Sequence, residues 1–213
     1  LAVVDPVKII ITNYPENKIE MIEAVNNPEN PKSGTRKIPF SREIYIERDD
    51  FMENPPRKFF RLSIGKEVRL RYAYFITCVS IIKNSKNKIK EIHCTYDPNS
   101  FGGKASDGRK VKGTLHWVSV NHAKDAEVRF YDRLFKKENP EEEKDFTKAL
   151  NSNSYKVFSS AKLEPSMENP DDITYQFERL GYFKKDSKLE YKDKSVYIRV
   201  VSLRDSWAKM LKK

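Results

Sequence analysis

Short runs rich in Ile, Val, Tyr, Phe and Thr recur along this chain, cut apart by clusters of Pro, Gly, Asn and Asp, and apolar spacing of the helical kind is scarce. The alternation is cleanest in Glu43-Ile44-Tyr45-Ile46-Glu47, which puts one apolar and one charged face on a strand. Strands are predicted at Val7–Thr12, Glu43–Arg48, Glu67–Ile82, Ile89–Tyr96, Lys112–Ser119, Glu127–Leu134, Tyr155–Leu163 and Val196–Leu203. Strands at this frequency, without helices alternating between them, fit barrels or sandwiches and argue against a parallel βαβ sheet. The expected fold class is all-β.

Three short helices are predicted beside the strands, at Asp49–Met52, Asn139–Leu150 and Asp205–Lys212. The second opens on Asn139-Pro140 and three glutamates, which suit the positive end of a helix dipole. Residues 26–36, 98–109 and 164–174 read as surface loops. No internal repeat or low-complexity tract is present.

Among 213 residues, 41 Lys and Arg face 31 Asp and Glu, a net charge of +10 that favours a polyanionic partner. Mean hydropathy is −0.74, and no apolar run approaches the ~18 residues of a membrane span. Cys78 and Cys94 form no disulfide framework; reduced, buried thiols of a cytosolic protein are expected. The start, Leu1-Ala2-Val3-Val4-Asp5-Pro6, lacks the pattern of an export signal, and a first residue other than Met points to a piece of a longer chain.

Catalytic signatures are absent. The chain has no Gly-x-x-x-x-Gly-Lys-Ser/Thr, Gly-x-Gly-x-x-Gly or His-Glu-x-x-His pattern, and its three histidines and two cysteines offer no close-spaced ligand pair, so neither a catalytic residue nor a metal site is expected. His116, beside Trp117, reads as a packed core residue. Asp49-Asp50 and Asp171-Asp172 read as turn and cap residues, because solvated loops do not separate two carboxyl pKa values.

Basic residues interleaved with aromatics carry the stronger signal. Arg57, Lys58, Arg61, Lys66, Arg69 and Arg71 stand against one acid, Glu67, with Phe59, Phe60, Tyr72 and Tyr74 among them. Alternation in Glu67–Arg71 puts Arg69 and Arg71 on one strand face, roughly 7 Å apart, a spacing that suits neighbouring phosphates or a base and its phosphate. A solvated strand face is the alternative. The run Asp107-Gly108-Arg109-Lys110-Val111-Lys112-Gly113 holds three cations in four positions, suited to backbone phosphates or to a mobile charged loop; Lys110 is its candidate contact. In Tyr175-Gln176-Phe177-Glu178-Arg179-Leu180-Gly181-Tyr182-Phe183, an amide that donates and accepts sits with a guanidinium among four rings, equipment for unstacked RNA bases.

These motifs, with Ile38–Ser41, Leu62–Arg71, Asp107–Ser119, Tyr131–Phe135, Glu164–Ser166 and Leu203–Lys209, follow one another in the order of a known family. Along nearly its whole length the chain resembles the C-terminal anticodon-binding region of bacterial-type glutaminyl-tRNA synthetases, class I enzymes. The glutamyl enzymes of archaea and eukaryotic cytoplasm share some of these signatures, while the Asp107–Gly113 run leans to the glutaminyl side.

The resemblance implies two antiparallel β-barrels, akin to the barrel of a ribosomal protein that binds 5S RNA: residues 1–114 completed by 197–213, and residues 115–196. Both would grip the tRNA anticodon loop. The family's catalytic half, which uses ATP, would precede Leu1, so this chain would bind without aminoacylating and hold no cofactor of its own. Its partners would be tRNA and its own N-terminal catalytic domain, in a cytoplasmic monomer away from membranes. Lys58 and Arg61 would lie near the third anticodon base, Arg69 and Arg71 would serve the first base and its backbone, Gln176 and Arg179 the central uracil, and Arg204 and Ser206 the anticodon backbone. Phe60 replaces a residue basic in many relatives, and Ser206 a common threonine. A non-catalytic ribosomal RNA-binding barrel and a protein-interaction domain are the readings from other classes.

Overall fold

Alternation shapes the first part of the chain. After a two-residue β1 (Ala2–Val3), β2 (Pro6–Ile11) buries Val7, Ile9 and Ile11. Strands β3 (Glu20–Val25) and β4 (Thr35–Phe40) pair as a separate antiparallel arm. Then β5 (Glu43–Glu47) buries Ile44 and Ile46, and β6 (Glu67–Leu70) buries Val68 and Leu70. Strands β7 (Phe75–Lys83) and β8 (Ile89–Asp97) bury Ile76, Cys78, Ile92 and Cys94. Each such aliphatic side chain contributes roughly 1.5–3 kcal/mol on leaving water. Together with Phe40 and Trp117 they form one core.

The structure, a computed structural model, describes residues 1–105, 107–142, 144–168, 174–191 and 193–203. Two compact units emerge: Leu1–Lys124 with Ala161–Asn169, and Asp125–Ser160 with Pro170–Lys213.

In the first unit, β9 (Thr114–Leu115) and β10 (Val118–Ser119) complete a sheet of order β10-β5-β2-β8-β7-β6-β9. β9 pairs with β6 at one edge and β10 with β5 at the other, yet only His116 and Trp117 separate them. The two edges are therefore drawn together, and the sheet curls into a nearly closed barrel. Trp117 is fully buried at this junction, its indole N–H donating to the Arg71 carbonyl at 3.0 Å. His116 is buried too, with Nε2 3.5 Å from a Glu47 carboxylate oxygen.

The second unit holds β11 (Lys124–Tyr131), β12 (Tyr155–Leu163), β13 (Thr174–Phe177), β14 (Gly181–Tyr191) and β15 (Lys194–Val201), ordered β12-β11-β15-β14-β13. Its core is aromatic: Phe177 stacks on Phe183 at 4.1 Å, and Phe130 meets Phe183 and Phe158 edge-on. The last residues of β12 belong to the first unit, where Lys162 and Leu163 pair with β1.

The all-β expectation holds, with three differences of detail. The second unit is a half-barrel sheet and not a second barrel. Pairing is mixed, because β2 runs parallel to β8, β6 to β9 and β11 to β15. The unit boundaries also differ from those read in the sequence: the first unit runs on to Lys124, and Tyr197–Val201 stay in the second unit as part of β15.

No α-helix occurs among the described residues. The helix expected at Asn139–Leu150 is two 3₁₀ turns, Pro140–Glu142 and Phe146–Ala149, because Asp145 starts a fresh turn by accepting the Thr147 N–H at 3.0 Å. A charged run without an apolar stripe has little to hold a longer helix. Asp49–Met52 is likewise a 3₁₀ turn, Arg48–Asp50, and Asp205–Lys212 lies outside the described residues. The long strand expected at Glu67–Ile82 is two strands, broken at a turn where Tyr72 takes a φ of +65°.

Candidate RNA-binding surfaces

On the first unit the candidates gather along the β6–β9 edge. The Arg69 N–H donates to the Gly113 carbonyl at 2.8 Å and the Arg71 N–H to the Leu115 carbonyl at 2.9 Å. Gly113 passes so close to Phe60 that a Cβ there would lie 2.2 Å from the Phe60 carbonyl oxygen. Sequence-distant segments 58–61, 69–71 and 109–113 thus share one edge.

Their cations are held in different ways. Arg61, half-buried, pairs with the fully buried Asp50 at 3.3 Å and donates to the Asp49 carbonyl at 3.0 Å, so it neutralises an internal charge before it can serve a ligand. Lys58 is exposed in the turn before it. Arg69 lies 5.5 Å from the centroid of Phe75, and Arg71 the same way at 5.3 Å from Tyr72. The strand face expected to carry both Arg69 and Arg71 carries Arg69 with Glu67, because β6 ends at Leu70 and Arg71 stands in the following turn.

Lys110 is exposed and makes no hydrogen bond or ion pair among the described residues. Lys112, not singled out from sequence, sits 5.0 Å over the exposed Phe60 ring.

Arg109 differs from its neighbours in the basic run. Its Nε and Nη2 both reach Glu67 at 2.9 Å, Nη2 reaches Asp97 at 2.5 Å, and Nη1 reaches Asp107 at 2.7 Å. The guanidinium holds the Asp97 carboxyl below the usual range; Asp107 is lowered by the Arg109 backbone N–H and by the same guanidinium. These bonds in turn raise Arg109 further above its ordinary value.

On the second unit the nine-residue aromatic motif is a hairpin, β13 to β14, turning at Glu178–Leu180. Alternation sorts its side chains: Phe177 and Phe183 go into the core, and Gln176 and its cross-strand partner Tyr182 are exposed. The amide therefore stands beside one accessible ring and not among four. It makes no hydrogen bond among the described residues. Arg179 is exposed at the turn with φ +67°, and Gly181 lets β14 approach β15 where a Cβ would lie 2.3 Å from the Val201 carbonyl oxygen. Arg204 and Ser206 lie outside the described residues.

No group of His, Cys, Asp and Glu among the described residues is arranged to hold a metal ion. A chain of hydroxyls links Ser41 to Ser119 at 2.7 Å and Ser119 to His122 Nδ1 at 2.9 Å, but both serines are buried and Ser41 donates onward to the Glu43 carbonyl, which makes it a structural tie. Cys78 and Cys94 are free, buried and opposite each other across β7 and β8.

A barrel edge and a hairpin that present cations, rings and an exposed amide are surfaces of the kind RNA-binding proteins use. Residues 1–97 and 114–186 match families that share the description "tRNA synthetases class I (E and Q), anti-codon binding domain". The chain belongs to this family of anticodon-binding domains.

Among curated relatives it is similar to the glutamine–tRNA ligase of Bradyrhizobium diazoefficiens, 50% identical over 214 residues that cover 100% of this chain and 38% of the relative. The glutamine–tRNA ligase of Nitrobacter winogradskyi is 52% identical over 211 residues, 99% of this chain and 37% of the relative. That of Vibrio parahaemolyticus is 46% identical over 211 residues, 99% of this chain and 38% of the relative. The chain thus spans less than two fifths of the length of these relatives.

Proposed function

We propose that this chain is the part of a glutamine–tRNA ligase that holds the anticodon loop of its tRNA. The observation that carries the proposal is Gln176: an exposed amide without a hydrogen-bond partner among the described residues, beside Tyr182 on a hairpin whose other face is locked by stacked phenylalanines. Such an amide can donate to a uracil carbonyl and accept its N3–H, while the ring stacks on the unstacked base. Lys58, Arg69, Arg71, Lys110 and Lys112 supply attraction to the loop, and the +10 charge brings it near. Arg179 at the turn, and Arg204 and Ser206 further on, extend the same role.

ATP use and attachment of glutamine belong to the remainder of such a ligase. This chain carries no glycine pattern that would cradle phosphates. A catalytic domain joined to this one, a monomeric cytoplasmic enzyme and the absence of a membrane role complete the proposal. No helix among the described residues is long and apolar enough to cross a membrane.

Competition binding tests the reading. Labelled tRNA of the glutamine type is displaced by unlabelled tRNAs that differ only in the anticodon; equal displacement by every anticodon variant would defeat base recognition. With about five phosphates neutralised, log K falls against log salt with a slope near −4. A slope of zero would remove the electrostatic part.

A further inference from the structure

Arg69 occupies an unusual position for a surface cation. Its side chain lies against the Phe75 ring and under Gly103, where a Cβ would sit 2.6 Å from Arg69 Cδ and where φ is +75°, so that only glycine fits without displacing it. Its Nε is buried without a hydrogen-bond partner, and no carboxylate pairs with it among the described residues. Yet acids surround it. Glu67 is two residues back on the same face of β6, and Asp97 is the cross-strand neighbour of Phe75.

Those carboxylates are occupied instead by Arg109, whose own guanidinium lies 5.3 Å from the same Phe75 ring. It takes Glu67 in a two-bond fork and Asp97 and Asp107 singly. Five donors in a fixed plane suit this; a lysine could not span the three acids in the same way. Without Arg109, Glu67 and Asp97 would be left open to accept from Arg69, and charge-assisted pairing would draw it off the ring.

Resting on the RNA-binding reading above, we infer that Arg109 is a positioning residue that engages Glu67, Asp97 and Asp107 so that the Arg69 guanidinium stays available to an uncharged acceptor edge of a nucleobase. The three carboxylates that hold Arg109 offset the positive charge beside Arg69, so the Arg69 donors suit a neutral base edge better than a phosphate. Arg109 is accordingly no phosphate contact, although the sequence places it in the most basic run of the chain.

The test has one arm without RNA and one with it. In a crystal structure of Arg109→Gln, Arg69 should lie within hydrogen-bond distance of Glu67 or Asp97; Arg69 unmoved on Phe75 overturns the inference even if the chain binds no RNA. In the binding arm, Arg109→Gln and Arg69→Gln are each expected to lose roughly tenfold in tRNA affinity with the salt slope unchanged. The double variant should then bind no worse than Arg69→Gln alone, because Arg109 acts through Arg69. Additive losses, or a slope reduced by about 0.7–0.9, would make Arg109 a direct phosphate contact and overturn the inference. Where Arg109→Gln fails to fold, Arg109→Lys in an Arg69→Gln background supplies the same cycle, with melting temperatures read alongside. Wild-type chain that binds no tRNA would sink the RNA reading itself, and the crystallographic arm still decides the internal role of Arg109.

Discussion

The barrel edge of the first unit and the hairpin of the second present polar groups to solvent by opposite means. At the barrel edge, cations are numerous but several are already engaged: Arg61 by Asp50, Arg109 by three carboxylates. At the hairpin one neutral amide, without a hydrogen bond among the described residues, stands over a core of stacked rings. Count of charges is thus a poor guide to which groups are available. The fold decides, by what it places beside each one.

The largest effects should fall on the scaffolds that hold the two surfaces. Trp117→Ala removes a fully buried indole at the point where the two edges of the barrel meet, and should cost about 3–5 kcal/mol in denaturant unfolding. Phe183→Ala, which unstacks Phe177 below Gln176, should cost a similar ~3–5 kcal/mol. A loss under about 1 kcal/mol for either would mean that the surface it supports is held by something else.

Gln176→Ala comes next and separates reading from holding. It should lose about 1–3 kcal/mol against a tRNA with uracil at the central anticodon position, and much less against variants lacking that uracil, with an unchanged melting temperature because the amide is exposed and unbonded. Unchanged discrimination would sink its role as a reader.

Much of this comparison was visible in the sequence, and what was not has a physical cause. Strands β2, β5 and β8 showed through their alternation, and β12 through its aromatic and β-branched residues. Strand β3 did not, since Met21 and Val25 are exposed on it and blur the alternation. The break at Arg71–Tyr74 lacks Gly or Pro and relies on a tyrosine in a left-handed conformation. Residue types and neighbours sufficed to nominate Lys58, Arg69, Lys110 and Gln176. They could not reveal that Arg61 and Arg109 are engaged, because Asp50 and Asp97 reach them only through long-range pairing. Nor could they set Lys112 on Phe60, a contact made by the close passage of Gly113.

A smaller effect tests the Glu47 carboxylate that meets the buried His116. Burial alone would push the Glu47 carboxyl up, but His116 and the backbone N–H groups of Val4 and Asp5, at 2.6 and 3.0 Å, outweigh it and hold the group below its ordinary value. A carboxyl lowered on folding stabilises at pH above its unfolded value of ~4.3, and that contribution is lost as pH falls through the folded value. Stability should therefore decline on acidification below about pH 4–5, and Glu47→Gln should flatten that part of the profile. A variant that follows the wild-type curve at acid pH would assign the decline to other carboxylates.

The smallest effect belongs to Lys110 and bears most directly on availability. It stands between Arg109, fixed by three carboxylates, and Lys112, set on Phe60, yet is itself exposed and unpaired among the described residues. Nothing in its surroundings restricts which base it could meet, so its contribution is attraction to phosphate and carries no sequence information. Lys110→Ala should weaken every tRNA alike by less than about 1 kcal/mol at moderate salt and make the salt slope shallower by about 0.7–0.9. Stability should not change, since no internal contact is lost. The comparison with Arg109→Gln is the informative one, because the two residues are adjacent and both cationic: the lysine should alter the slope and leave discrimination intact, and the arginine should do the reverse. Identical behaviour of the two variants would mean that the ion pairs around Arg109 do not govern how this edge meets RNA, and that charge alone sets its affinity.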